Sequence, residues 1–578
     1  MFPKKNFSLV LFFMTFLYQI FPQEALKSTE EEYYDFLSLQ GLVERPTLGY
    51  RTLSDNQWKF VEKESPVLDA EGNPLLDENG NPIKEKVLPN HVWQENNLGS
   101  KRVLWQSESK GGNWFTRGFD HSIKLKAYGP EWFSSFNMDA PYGQNDGALW
   151  QGKGYNTSLT GGVRIEGYGF ELTFKPQVCF SQNLEFELMD NNSSNKYSYY
   201  QGGIDFPQRF GDDSFWTFDF GDSEIRWNWH KFTVGFGTQN PWLGTSWLNP
   251  MLGSNNAPSY PKIDAGIRRT KIYMPHFGWY IGDIEGRVWL GKLEESKYFD
   301  NDSRNDYRLL TAISASFSPS FIPNLTIGLN RIFLTDYAPH NLKYIKRLFT
   351  TAEDNGSLIG DGEDEDQKAA FFADWMFPKV GFEVFGEFGF DDFTSNSLSN
   401  PFHTAIYTLG FKQVTPFPIN NFRGEIIGEW NNFEMSQDFQ LQWNYTGYYS
   451  HGAIRQGYTQ KGQILGAGSG SFGNSQFLGY RVYHPKGSIM IFAHRHCPDN
   501  NYIYNMAVYR DASSRTSTGK NFYARYKTYR IYGIEITQFF AKNFIFNCTL
   551  LKCDMIYRYY DSTDCFSGYF SLRLKYNF

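Results

Sequence analysis

Beyond its first two dozen residues the chain lacks any apolar run long enough to be a spanning helix. That excludes a helical membrane protein, which needs about 18–20 consecutive apolar residues. Cysteine is scarce, with five in 578 residues: Cys179, Cys497, Cys548, Cys553 and Cys565. The count is odd, so at least one is unpaired within a single chain, and the pairing of the others is left open. Cys548 and Cys553 have opposite parity on a strand and point to opposite faces, which argues against a shared metal site. All five read as small packing residues. Charge of one sign is lacking too: the net of −7 is modest and spread out, so there is no nucleic-acid footprint.

Aromatic residues and glycine are abundant, with 37 Tyr, 54 Phe, 16 Trp and 53 Gly. Aromatic girdles and glycine bends are features of transmembrane barrels. Mean hydropathy is −0.50, which suits strands with one wet face. At the C-terminus Tyr576, Leu574, Leu572 and Phe570 alternate with Asn577, Lys575, Arg573 and Ser571, and the chain closes on Phe578. This is the period of a strand with one face in lipid and one in a wet lumen. A closing Phe resembles the assembly signal of outer-membrane barrels, which implies the barrel-assembly machinery as a partner.

The other end agrees. Lys4 and Lys5 precede an apolar run from Phe7 to Phe21, and Gln23-Glu24 follow. This reads as a cleaved secretory signal over residues 1–23, with no cysteine nearby for a lipid anchor. Residues 24–60 are expected to be a periplasmic helical segment. In it Tyr33, Phe36, Leu37 and Gln40 recur at helical spacing, Gly41 sits near the end and Pro46 lies beyond. Residues 61–92 are charged and hold a tandem unit, Asp69-Ala-Glu-Gly-Asn-Pro-Leu then Asp77-Glu-Asn-Gly-Asn-Pro-Ile. Lacking the calcium-loop spacing, they read as a solvated insertion with two turns.

From about residue 115, and within a domain spanning 93–578, strand periodicity dominates. Phe170, Leu172 and Phe174 alternate with Glu171 and Thr173, and Phe382, Val384 and Phe388 with Glu383 and Glu387. Acidic residues on the second face make sense only against a polar lumen. The fold expected is all-β: a closed antiparallel transmembrane β-barrel of about 16–18 strands, with a short helical segment at its periplasmic end. Stretches rich in Gly, Ser, Asn and Asp at 189–203, 350–368, 461–478 and 510–521 read as extracellular loops. The acidic run Asp361 to Asp366 reads as part of a solvated one, or more sharply as a divalent-cation bridge to an anionic glycan.

Three segments are too irregular for strands. They are Pro141–Gly154 (PYGQNDGALWQGKG), Gln239–Trp247 running on to Pro258, and Tyr448–Tyr458 running on to Gly466. Each mixes aromatic rings with amides, carboxylates or His. Sugars offer an apolar face and a hydroxyl rim, so Trp150, Trp242 and Trp247 are stacking candidates. Asn145, Asp146, Asn255 and Asn256 are polar-contact candidates, with Tyr449 and His451 behind them. The same composition can equally plug a lumen with hydrogen-bonded loops. Ser450-His451 adjacency is not a nucleophile–base pair by itself, because strand neighbours point apart. His494 and His496 share a face but have no evident third ligand, so no metal or other cofactor is expected.

These segments, with DWMFP at Asp374, FGEFGFDD from Phe385 to Asp392 and IIGEW from Ile426 to Trp430, occur in an order that resembles the Wzi capsule-assembly family. The resemblance runs from about Phe36 to the C-terminus. The insertion at 61–92 and the detail of Ser254–Pro261 depart from it. It implies a barrel of about 18 strands with helical elements at the periplasmic end. It implies a lectin, not an enzyme, that holds capsular or related polysaccharide at the cell surface. The partners expected are that glycan and outer-membrane lipid, with the protein a monomer. The competing functions are a passive porin and an outer-membrane barrel hydrolase.

Overall fold

The computed structural model describes residues 27–67, 74–77, 81–99, 102–108, 119, 121–188, 191, 193–199, 203–300, 302–349, 365–391, 405–434, 447–471, 473–498, 528–556 and 565–578. The expected signal segment, most of the tandem unit and the stretch 510–521 lie outside them.

The barrel strands begin with β1 Lys124–Asn137, β2 Gly154–Gly167, β3 Phe170–Phe174 continued by Gln177–Ser181, and β4 Phe215–Asp219 continued by Glu224–Trp229. Next come β5 Phe232–Gly237, β6 Lys262–Tyr273, β7 Tyr280–Glu294, β8 Tyr307–Pro319 and β9 Leu325–Asp336. Then follow β10 Glu365–Phe377, β11 Phe382–Asp391, β12 Ile406–Pro416, β13 Arg423–Asn432 and β14 Asn474–His484. Last are β15 Gly487–Cys497, β16 Thr528–Phe540, β17 Phe544–Ile556 and β18 Cys565–Tyr576. Each pairs antiparallel with its neighbours in the chain. β18 returns to β1, with Tyr569 opposite Asn137 and Lys575 opposite Glu131, so the sheet closes at 18 strands. A short strand, Val103–Gln106, continues the seam against Lys124–Lys126 of β1.

The period of two sets the two faces. Phe170, Leu172 and Phe174 are exposed on the outer wall, while Glu171 and Thr173 between them are buried. Outward rings such as Trp216 and Phe236 stay exposed because lipid, not protein, is their neighbour. Cys548 faces outward, and Cys553 lies buried on the inner side, as their parity requires. The inner wall is charged and paired. Arg226 holds Glu224 at 2.8 Å and Asp264 at 2.7 Å, and Arg287 holds Asp264 at 2.6 Å.

Connections alternate in length. The turns 168–169, 230–231, 378–381, 485–486 and 541–543 are short and lie at one end, which is periplasmic in barrels of this kind. The first of these sets both Tyr168 (φ 54°) and Gly169 (φ 81°) in the left-handed region, as a two-residue hairpin requires. The links at the opposite end, such as 138–153, 238–261 and 433–473, are long.

Helix α1, Thr29–Ser38, is shorter than the periodicity predicts, because the chain turns back at 39–42. Ser28 caps it by accepting from the Glu31 amide at 3.2 Å, and Glu30, Glu31 and Glu32 fill its first turn, where the helix dipole favours anions. It sits inside the short-turn mouth rather than beneath it. Tyr33 stacks on Trp93 at 4.1 Å and Phe36 on Tyr483 at 4.2 Å. Its acids meet cations of the wall: Glu30 with Lys575 (2.8 Å), Glu32 with Arg481 (2.8 Å) and Asp35 with Lys412. In the insertion, Lys63–Pro66 and Lys84–Val87 form an exposed antiparallel pair.

Two loop expectations are overturned. Residues 461–471 of the expected loop 461–478 are mostly buried in the lumen, and Asn474 already begins β14. Of the acidic run, Glu365 and Asp366 start β10 and are buried, with Asp366 held by Lys368 at 2.7 Å. The run looks solvated in sequence because its basic partner lies two residues further on the same inner face.

Candidate functional site

The three irregular segments all come from long links and fold back into the lumen. An irregular backbone buried there needs partners for its amides. For residues 245–251 the partners are two carboxylates of the wall. Glu387 on β11 accepts from the amides of Thr245 (2.9 Å), Ser246 (2.8 Å) and Met251 (2.9 Å). Glu429 on β13 accepts from Trp247 (2.8 Å), Leu248 (2.8 Å) and Asn249 (2.8 Å). Both acids are buried and lie inside the motifs FGEFGFDD and IIGEW.

The same segment reaches the N-terminal chain. Trp242 and Leu243 pair with Arg51 and Tyr50 in a two-residue ladder, extended by the Gly244 amide on the Gly49 carbonyl at 2.9 Å. Asp55, from that N-terminal stretch, meets Arg287 at 3.1 Å and Arg268 at 2.8 Å. The lumen is therefore filled from both ends, and the two fillings are bonded to each other.

The third segment is tied to the second. Tyr449 Oη donates to the Met251 carbonyl at 2.6 Å and accepts from the Ala467 amide at 2.9 Å. Tyr458 Oη donates to the Leu252 carbonyl at 2.7 Å. The first segment joins through Asn145, whose Nδ2 donates to the Leu248 carbonyl at 3.1 Å, and through Gln463 Nε2 on the Gly147 carbonyl at 3.1 Å. Beneath these bonds lies one apolar cluster in which Leu243, Met251, Tyr449, Tyr458 and Ile464 meet Trp289, Leu310 and Ile332 of the wall.

The nine candidate residues therefore share one body but differ in access. Trp242 and Tyr449 are fully buried and offer no open ring face. Trp242 Nε1 donates to the Ser246 carbonyl at 3.0 Å. Trp247 is partly exposed, packs on Phe477 at 4.9 Å between ring centres and carries Lys27 Nζ 4.3 Å above its ring. Trp150 is also partly exposed, against Phe210 at 5.1 Å. Asn255 Nδ2 donates to the Asn145 carbonyl at 3.3 Å, and Asn256 Nδ2 to the Ile464 carbonyl at 3.1 Å. Asp146 accepts from Gln151 Nε2 at 2.6 Å, and burial pushes its carboxyl up to about 6. His451 Nδ1 accepts from the amides of Ala453 (3.2 Å) and Ile454 (3.1 Å), and Ser450 Oγ donates to the Gly447 carbonyl at 3.0 Å. Those are turn contacts. His494 and His496 stack at 5.8 Å, and His496 Nε2 lies 2.8 Å from the Ser469 carbonyl oxygen, so His496 packs against the filling. Among the described residues no three His, Cys, Asp or Glu side chains gather as a metal site.

Two cavities flank this body. One of about 410 Å³ lies at the short-turn end between α1, the 43–51 stretch and Gly244–Trp247. Arg45 dominates it, reaching Asp35 (2.7 Å), Asp374 (2.6 Å) and Glu383 (2.6 Å). The other, about 110 Å³, is lined by Asn145, Asp146, Asn255, Lys175 and Arg573. Lys27 lines both. Sequence reasoning missed Glu387, Glu429, Arg45 and Lys27. The first two stand at inward positions of strands within quoted motifs, and that signal points to them. Nothing in the sequence pattern marks the other two.

No curated protein matches the chain. Among solved structures it is similar to Escherichia coli Wzi, described as an outer membrane protein involved in group 1 capsule assembly and a carbohydrate-binding β-barrel. The identity is 12%, with 78% of this chain and 84% of that one covered, and the TM-score is 0.50. Pseudomonas putida OprB (11% identity, 78% and 94% covered, TM-score 0.34) and Pseudomonas aeruginosa OpdQ (9%, 78% and 97%, 0.35) also match. The family model described as capsule assembly protein Wzi matches residues 127–540, from β1 through the three lumenal segments to the end of β16. With most of its length matched by that model, the chain belongs to the Wzi capsule assembly family.

Proposed function

We propose that this protein is an outer-membrane lectin that attaches or organises capsular or related surface polysaccharide and carries out no chemistry on it. The observation that carries this reading is the filled lumen. Segments 141–154, 239–258 and 447–471 spend their aromatic and amide groups on a hydrogen-bonded body across the barrel, which is a poor design for a passive porin. The Ser450 and His451 contacts likewise give no support to a hydrolase. The relative from Escherichia coli is a carbohydrate-binding barrel, and membership of its family extends that class of ligand to this chain. In this reading the protein is exported by a signal cleaved near residue 23, is assembled through Phe578 and acts as a monomer.

Of the nine candidates, the partly exposed Trp150, with Asn255, Asn256, Asp146 and His451, are the ones that a sugar reaches with least rearrangement, whereas Trp247 opens to the cavity at the short-turn end under Lys27. Trp242, Tyr449 and Asn145 act by holding the others in place. A long repetitive glycan gains from multiple weak contacts, so modest affinity per site suffices. The test is binding of the host's own extracellular polysaccharide to the purified protein. Trp150→Ala is expected to weaken it about fivefold, from a stacking loss of roughly 1 kcal/mol, and Trp247→Ala to weaken it less. Absence of binding by the wild type overturns the assignment.

A further inference from the structure

The cavity of about 410 Å³ at the short-turn end lies apart from Trp150, Asp146, Asn255, Asn256 and His451, none of which lines it. Exposed residues of the N-terminal stretch and of one short turn, Glu44, Pro323 and Asn324, form its rim, so it opens at the periplasmic end. Its floor is Gly244–Trp247, the near end of the loop that Glu387 and Glu429 hold. Its volume is that of a small-ligand site, which runs from about 300 to 1,000 Å³.

The charges within it are interleaved and paired. Arg45 reaches Asp374 Oδ2 and Glu383 Oε1, each at 2.6 Å. Arg269 meets Asp283 at 2.7 Å, and Lys27 meets Glu32 at 2.9 Å. Arg45 therefore takes one oxygen from each of two wall acids, which are only 8% and 2% exposed. Their second oxygens, Asp374 Oδ1 and Glu383 Oε2, make no hydrogen bond with any described residue, and Lys412 Nζ stands 3.5 Å from the latter. Thr245 Oγ1 on the floor likewise makes none. A buried polar atom left in that way costs about 1–3 kcal/mol, so a ligand that brings donors gains here. Two rings line the same space: Trp247, partly exposed, and Tyr280, 41% exposed.

These groups restrict the ligand. A cation would crowd Arg45, Lys412 and Lys27, and an anion would face Asp374 and Glu383. What fits is a neutral molecule whose polar atoms donate to carboxylates and accept from the neighbouring cations, with an apolar face for a ring. Sugar hydroxyls do both, and sugar rings carry that face.

We propose that this cavity is a second carbohydrate site, which takes a short neutral saccharide from the periplasmic side. Asp374, Glu383 and Thr245 bond its hydroxyls, and Trp247 and Tyr280 cover its apolar face. The site stands at the opposite end from the glycan contacts proposed above, and neither needs the other.

The test uses the full chain in lipid nanodiscs and saturation-transfer NMR, with methyl glucoside, N-acetylglucosamine, cellobiose and the diamine putrescine as probes. Wild type is expected to transfer saturation to at least one of the sugars and not to the diamine. Thr245→Val removes the hydroxyl and keeps the backbone amide on Glu387. It and Asp374→Asn should each lower the titrated affinity about fivefold, the worth of one hydrogen bond. Lys486→Glu, on a short turn away from the cavity lining, should bind as the wild type does. Circular dichroism checks that each variant is folded; if Asp374→Asn is not, Thr245→Val decides alone. Transfer to none of the sugars overturns the proposal and leaves polysaccharide binding above to its own test. Equal affinity in wild type and the folded variants overturns it too, as does binding of putrescine in place of the sugars. Loss of the signal in Trp150→Ala with none in Thr245→Val places the sugar at the other end and overturns it as well.

Discussion

Glu387 and Glu429 each hold three backbone amides of one loop, and that makes them the residues on which the lumenal filling depends most. Leaving a buried amide without a partner costs about 1–3 kcal/mol. Glu429→Ala strands the amides of Trp247, Leu248 and Asn249, so a loss of about 3 kcal/mol or more is expected. Hydrogen exchange should report it as faster exchange at 245–251, with the strands of the wall still protected; unchanged exchange there would contradict the role. Glu429→Gln should show a smaller effect, since one acceptor oxygen remains. Asp146 gives a second prediction at this scale. Burial holds its carboxyl at about 6, above the unfolded value of about 3.9. The folded state then binds more protons than the unfolded one across that window, so the Asp146 contribution is present below about pH 4 and is lost as pH rises through 6. Protection of the 141–154 segment should fall between pH 5 and 7.5 in the wild type and stay level in Asp146→Asn. The alternation that puts Glu387 inward is legible in sequence. What it faces is not, since an inward acid reads the same whether its partner is water or an amide 140 residues away.

At the scale of elements, α1 is held by charge as much as by its aromatic face. Burial works against the Glu32 carboxylate, but Lys27 and Arg481 outweigh it and hold the group down at about 2. Arg45 and Lys412 lower Asp35 in the same sense, and Lys575 lowers Glu30. Glu31 runs the other way, raised by its burial. For the lowered groups the unfolded chain binds more protons, so their stabilisation is complete above about pH 5 and is lost as pH falls from roughly 4 towards 2. Protection factors at Thr29–Ser38, the exchange rates corrected for the intrinsic rate at each pH, should therefore fall at pH 3 relative to pH 6, before those of the wall strands. No change in that interval would show that the stacking of Tyr33 and Phe36 alone holds the helix. The helix was legible because Tyr33, Phe36 and Leu37 keep a period of about 3.6. Its place inside the mouth was not, because its acids resemble a solvated face until Lys412, Arg481 and Lys575 are seen opposite them. The strands were legible for the analogous reason, period two. The stretch 461–471 was misjudged because glycine and serine suit a buried irregular filling as well as an exposed loop.

For the whole molecule, the decisive fact is that the lumen is blocked twice. The N-terminal stretch enters from the short-turn end, the three segments enter from the other, and the ladder of Tyr50-Arg51 with Trp242-Leu243 joins them. Closure of the barrel could be argued from strand count and periodicity, but this contact joins residues about 190 positions apart and leaves no local signal. Two blocks in series have a distinct consequence for conductance. In planar bilayers the wild type is expected to show no steady open pore. Deleting residues 27–60 alone should leave the upper filling in place, where Glu387 and Glu429 still hold it. Replacing the upper filling alone, residues 141–153, 239–258 and 447–471 each by a short flexible linker, should leave α1 and its ion pairs closing the mouth. Only the combined variant should conduct like a porin. If either single deletion already gives a steady pore of that size, the two fillings are not independent barriers, and the ladder between them is what holds both. If the wild type itself conducts steadily, the filled lumen is not the resting state of the protein in a membrane, and the case for a surface anchor over a porin fails with it.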